Sequence, residues 1–195
     1  ILKAILRRVK PNFKKEAENF ANFISVDILS AIEKSNTVQE LESGNLREEL
    51  GLTNPANAMR QIAMGIINSD TLTVQEPKIS GNQITARIRL EAVPIDLSRY
   101  HGIAEQVTER GQKLPWFQWL TTLGDAIIVR DFEVKAGFSK SSRTGNKIMV
   151  KGGGWRVPPE HSGSQTNNFI TRAVDEIMPR IEKMAKYYFE QAIRG

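Results

Sequence analysis

Residues 147–173 read KIMVKGGGWRVPPEHSGSQTNNFITRA, and the order of elements in the chain follows from them. Ile148, Met149 and Val150 form an apolar run of strand length. Gly152, Gly153 and Gly154 then permit a turn or β-bulge that bulkier residues resist. Trp155 and Val157 resume the alternation. Pro158 and Pro159 set φ and remove two backbone donors, so pairing stops and Val157–Glu160 is predicted to be a stiff, extended connector. Beyond Ser162 and Gly163, one of residues 164–168 can cap a helix. The apolar positions Ile170, Ala173, Val174, Ile177, Ile181, Met184, Tyr188 and Ala192 recur at helical spacing, so one face of that helix is buried. Pro179 falls inside it and predicts a bend.

Working back from this stretch, residues 137–146 (GFSKSSRTGN) form a polar, basic loop after a strand predicted at Ala126–Val134. Together these make a long hairpin, residues 126–157, whose tip is expected to project. Leu114, Pro115, Trp116, Trp119, Leu120 and Leu123 describe a short helix that ends at Gly124, with its tryptophans in the core. Ile84, Ala86, Ile88, Leu90 and Ala92 alternate with polar residues as a half-buried strand. Leu72–Gln75 reads as a short strand and 77–82 as a turn, while 95–112 is indistinct, with room for one short helix. Asn54 before Pro55 opens a helix with Ala58, Met59, Ile62, Ala63 and Ile66 on one face. Residues 37–52 read as short helical turns broken at Gly44. Phe13, Ala17, Phe20, Ile24, Ile28 and Ala31 predict a helix of about five turns. Residues 1–10 form a separate amphipathic arm that Pro11 ends. The fold class is therefore α+β: N-terminal helices, an antiparallel sheet of four or five strands with a long hairpin, and a long C-terminal helix packed on the sheet. All 195 residues are assigned to one domain carrying the arm and the hairpin.

Composition narrows the function classes. Hydrophobic residues make up 40% of the chain, and no run of about eighteen apolar residues offers a membrane span. With no cysteine, disulfides, thiolate catalysis and cysteine metal sites are excluded, and two histidines, His101 and His161, make a zinc centre a poor reading. The net charge of +5 is unevenly spread. Lys3, Arg7, Arg8, Lys10, Lys14 and Lys15 precede the first acid, Glu16. No carboxylate lies between Glu133 and Glu160, while Lys135, Lys140, Arg143, Lys147, Lys151 and Arg156 do. These two basic patches suit nucleic acid or an acidic protein face.

Catalytic patterns are absent from the sequence. Gly145, Asn146 and Lys147 depart from a phosphate-binding loop, which needs Gly-Lys-Ser or Gly-Lys-Thr so that backbone, ammonium and hydroxyl meet one phosphate. His161 beside Ser162 lacks the third group that orients a catalytic base. The carboxylate pairs Glu48/Glu49 and Asp175/Glu176 read as solvated helix faces. No catalytic residue, cofactor or metal ligand is assigned, and a non-enzymatic role is expected.

Three stretches, TVQELESGNLREELGL with the Asn54-Pro55 helix after it, LPWFQWLTTLGDAIIVRDFEV, and SSRTGNKIMVKGGGWRVPPEHSGSQTNNFITRA, resemble segments of virion, neck and tail-completion proteins of contractile-tailed bacteriophages. The last is the most specific. The resemblance implies a small α+β structural subunit, assembled in the host cytoplasm into the virion, that joins a sixfold ring at the head–tail junction or the upper end of the tail. Its partners would be copies of itself and other tail or neck proteins, with non-specific contact to genomic DNA and none to a membrane. On that reading Lys140, Arg143, Lys147, Trp155 and Arg156 are the candidate interface residues. The alternatives are a sequence-independent nucleic-acid-binding module and another tail or baseplate component.

Overall fold

In a computed structural model, residues 1–68, 72–90, 97–100, 102–107, 111–140 and 142–194 are described. The chain divides into two compact units. Unit 1 comprises Ile1–Ser30, Ile67–Val93 and Asp175–Gly195, and unit 2 comprises Ala31–Ile66 and Pro94–Val174. The α+β class holds, and both units draw on several stretches of the chain.

Unit 1 is built on two long helices, α1 (Leu2–Lys34) and α6 (Phe169–Arg194), each of which also runs into the other unit. The expectation that Pro11 ends a separate N-terminal arm is wrong, because Pro11 lies inside α1. Leu2, Leu6 and Val9 are half-buried and stand in phase with the buried Phe13, Ala17, Phe20 and Ile24, so one apolar stripe continues across the proline. An internal proline costs about 3 kcal/mol, and burying each large side chain returns about 1.5–3 kcal/mol, so the stripe wins. Phe13 meets Phe189 edge to face with ring centroids 6.3 Å apart, and Phe20 lies 5.7 Å from Tyr188. Further along α1, Asp27 Oδ2 stands 3.0 Å from Arg180 Nε, and the Arg180 guanidinium lies 5.3 Å from the centroid of Phe23. Positions rising along α1 meet positions falling along α6, so the two helices run antiparallel.

The same unit holds a hairpin of β1 (Leu72–Ser80) and β2 (Gln83–Leu90), paired antiparallel from Leu72↔Leu90 to Ser80↔Gln83. β1 extends beyond the predicted Leu72–Gln75, through Pro77. The register shifts between Gln75 and Lys78, and this bulge tolerates a residue that cannot donate to the ladder. The prediction that β2 continues to Ala92 lies outside the described residues, as does His101. Lys10 Nζ reaches Glu76 Oε2 at 2.6 Å across a half-exposed pair.

Unit 2 contains α2 (Asn36–Ser43), α3 (Asn45–Leu50), α4 (Pro55–Asn68, which runs on into unit 1) and α5 (Trp116–Thr121). The break at Gly44 and the start at Pro55 match the sequence reading. Its strands are β3 (Gln106–Val107), β4 (Lys113–Leu114), β5 (Val129–Ala136) and β6 (Lys147–Trp155). Antiparallel pairing is present, but among the described residues it is divided into three two-stranded ladders, β1–β2, β3–β4 and β5–β6, in place of one sheet of four or five strands. The core of unit 2 centres on Phe117, fully buried and in ring contact with Tyr100, Trp116 and Phe169. Trp116 is core, as its helical spacing predicted, and Trp119 meets Trp155 at a tilt of 59° with ring centroids 5.9 Å apart.

Phe117→Ala removes the ring shared by these contacts, and the expected loss is about 3–5 kcal/mol in chemical denaturation. A second prediction concerns pH. The ammonium of Lys10, by hydrogen bond and by charge, holds the Glu76 carboxyl below its ordinary range, with a smaller contribution from Lys14. A carboxyl with a lowered folded pKa stabilises above its unfolded pKa and loses that contribution as pH falls through the lowered value. The Tm deficit of Glu76→Gln is therefore expected at neutral pH and should vanish in acid.

Candidate functional site

The end of α3 is where the sequence-predicted residues meet. A helix leaves its last carbonyls without intrahelical partners, and α3 closes with Gly51 in the left-handed conformation at φ 63°. Arg143, in the loop joining β5 to β6, donates from Nε to the Gly51 carbonyl and from its Nη2 to the Leu50 carbonyl, both at 2.9 Å. Glycine at 51 serves twice: it adopts the positive φ, and a Cβ there would stand 2.5 Å from the Arg143 guanidinium.

Glu49, one residue before Leu50, takes the next two contacts. Trp155 donates from Nε1 to Glu49 Oε2 at 3.1 Å, and Lys147 Nζ lies 3.8 Å from Oε1. Trp155 is 7% exposed, so this bond satisfies a donor that would otherwise be buried unpaired. Three of the five candidate interface residues, Arg143, Lys147 and Trp155, thus converge on Glu49–Gly51 and fasten the hairpin to α3 within unit 2. Lys140 and Arg156 are exposed. The reading of Glu48 and Glu49 as a solvated face is corrected: the Glu49 side chain is 17% exposed, and Glu48 Oε2 is buried without a hydrogen bond.

The loop itself is closed by its own bonds. Ser142 Oγ donates to the Lys147 carbonyl at 2.6 Å and accepts from the Gly145 amide at 3.0 Å, while the Gly137 amide reaches the Asn146 carbonyl at 3.0 Å. At the other end of the ribbon the ladder is interrupted, with Arg130 opposite Gly154 and Phe132 opposite Lys151. Asp131 therefore faces two residues, Gly152 and Gly153, which is the bulge the glycine run predicted, and it takes a φ of 61°.

Beyond the ribbon, Val157–Glu160 does not stay extended: the Pro158 carbonyl accepts from the amides of His161 at 2.9 Å and Ser162 at 3.0 Å, making a turn. His161 is buried and shares a 3.1 Å hydrogen bond between Nδ1 and Thr37 Oγ1, so it pins this turn to α2. The cap of α6 is Asn168, whose Oδ1 accepts from the amides of Ile170 and Thr171.

The feature the sequence reading missed is the outer face of the ribbon. Paired residues share a face, so Phe132, Val134 and Ala136 lie beside Lys151, Met149 and Lys147. Phe132 is 44% exposed and Met149 50%, and Phe138, two residues past the end of β5, is 82% exposed. A signal was present: Ile148–Met149–Val150 is a continuous apolar run, the pattern of a strand covered on both faces. Among the described residues no cluster of three or more His, Asp or Glu could hold a metal ion, and no helix is long and apolar enough to cross a membrane. Compared with family models, characterised proteins and solved structures, the chain matches none.

Arg143→Ala leaves two carbonyls at the end of α3 to water, and the expected loss is about 1–3 kcal/mol. Trp155→Phe keeps most of the packing and removes only the donor, so a smaller loss, about 1 kcal/mol, is expected. Guanidinium denaturation of the full chain checks both.

Proposed function

We propose that this chain is a non-enzymatic structural subunit of a tailed-phage virion, closing with copies of itself into a ring at the head–tail junction or the upper end of the tail. Two things support the reading: the resemblance carried by residues 37–52, 114–134 and 141–173, and the uncovered face of the β5–β6 ribbon. The ribbon carries it physically. Two-stranded ribbons are marginal alone, and this one is held at Arg143, Lys147 and Trp155 while Phe132 and Met149 on the ribbon, and Phe138 just past β5, stay exposed to solvent. Both outer strand edges lack a ladder partner among the described residues, and such edges add strands readily. A face used against a different face of the next copy makes a head-to-tail contact, which closes into a ring when the rotation allows.

The ribbon does not suffice by itself. Nine residues at about 3.4 Å each and two strands about 4.8 Å apart present roughly 300 Å², under half of the ~800 Å² that each partner contributes to a stable interface. Other surfaces of the subunit must join, with the ribbon aromatics as the anchors.

Light scattering and negative-stain microscopy of the full chain test this. Wild type is expected to form rings, and Phe132→Ser with Phe138→Ser and Met149→Ser is expected to stay monomeric with an unchanged circular-dichroism melt. A wild type that remains monomeric at high concentration, alone and with tail and neck proteins, would sink the ring assignment. Lys140→Glu probes the tip separately without touching the Arg143 clamp.

A further inference from the structure

Unit 1 carries a charged face that the ring reading does not use. Lys3, Arg7, Lys10 and Lys14 follow the spacing i, i+4, i+7, i+11, which returns to one side of a helix. Because α1 is helical throughout this segment, the four cations form a single row, about 17 Å long at the helical rise. All four are exposed. The Lys10–Glu76 pair sets the row beside the β1–β2 hairpin, and the charge of Lys14 also reaches Glu76. That hairpin adds the exposed Lys78 and Arg87. Across residues 1–15 and 72–90, nine lysines and arginines stand against one carboxylate, Glu76.

The arrangement suits a long polyanion. The four charges lie along a line and do not converge on one point as a small-anion site requires, and on their face there is no aromatic or large aliphatic anchor between them of the kind a protein interface uses. Ile1 and Ile5 fall on the opposite side of the helix. A membrane-surface helix would need a broad free apolar face to insert, but the apolar stripe of α1 is used within its own unit, with Phe13, Ala17, Phe20 and Ile24 buried and Phe13 and Phe20 against Phe189 and Tyr188, which leaves the exposed Ile1 and Ile5 as too small a face. Duplex DNA presents a phosphate about every 3.4 Å along each strand, so a row of this length faces several phosphates at once. Lysines and arginines without base-reading partners position a backbone and carry no sequence preference. We propose that this face of unit 1 binds the phosphate backbone of duplex DNA, independently of sequence and of whether the chain forms rings.

The test is fluorescence anisotropy of a short, labelled, mixed-sequence duplex with the full chain. Wild type is expected to bind at about 50 mM salt and to lose roughly a hundredfold in affinity by about 200 mM. Lys3→Glu with Arg7→Glu and Lys14→Glu should bind at least about tenfold more weakly, with the salt slope reduced by about three. The corresponding glutamine variant, the gentler change for the fold, should lose the same slope with an unchanged melt. Lys140→Glu with Arg156→Glu, on unit 2, should bind as wild type does. Absence of wild-type binding at low salt, or unchanged binding by both unit 1 variants, would overturn the proposal. So would displacement of DNA by anionic vesicles or polyglutamate at equal charge, which would assign the face to a membrane or an acidic protein. Ring formation is read separately by light scattering, so failure of one reading leaves the other standing.

Discussion

The grip of Arg143 on the last carbonyls of α3 is the interaction on which unit 2 depends. A six-residue helix has too few internal hydrogen bonds to persist by propensity, and a two-stranded ribbon is equally marginal. Each is stabilised by the other. The guanidinium supplies two donors to carbonyls with no helical partner, and a charged donor makes these bonds stronger than neutral ones. Gly51 permits the approach, and Glu49 receives the indole N–H and the lysine from the same ribbon. With these contacts the ribbon is held at both its loop and its base.

That arrangement divides the ribbon by chemistry. Arg143, Lys147 and Trp155, read as interface residues, direct their polar groups to α3. Residues that read as ordinary strand apolars, Phe132 and Met149, are left outward. The exposed apolar surface is then a consequence of where the clamp holds the hairpin. A strand apolar on both faces has one face to spare whenever its ladder stops at two strands, and assembly is the usual way such a face is covered.

Unit 1 is governed by a different balance. Its core is a seam between two antiparallel helices lined by aromatic rings, closed at one end by Asp27 and Arg180. The 3.0 Å contact there is an ion pair whose alignment falls short of a hydrogen bond. Continuity of α1 through Pro11 has an electrostatic result as well as a packing one. If the helix broke there, Lys3 and Arg7 would have no set relation to Lys10 and Lys14. Because it does not, four charges separated in sequence fall into one row.

By itself the sequence determined the elements whose cause is local. Gly44 broke the helical turns, Pro55 opened α4, Asn168 lay within the predicted capping segment, and the glycine run marked the bulge at Asp131, because capping, φ restriction and the loss of Cβ act within a few residues. The α+β class and the burial of Trp116 followed from periodicity. What only tertiary structure decided were the matters set by partners far away in the chain. Pro11 is tolerated because its helix has a seam to bury, and Glu49 leaves solvent because Trp155 and Lys147, about a hundred residues later, need an acceptor. Among the described residues the strands divide into three ladders in place of one sheet. Arg143, legible only as a basic loop residue, is a helix cap because the fold brings it to the last carbonyls of α3.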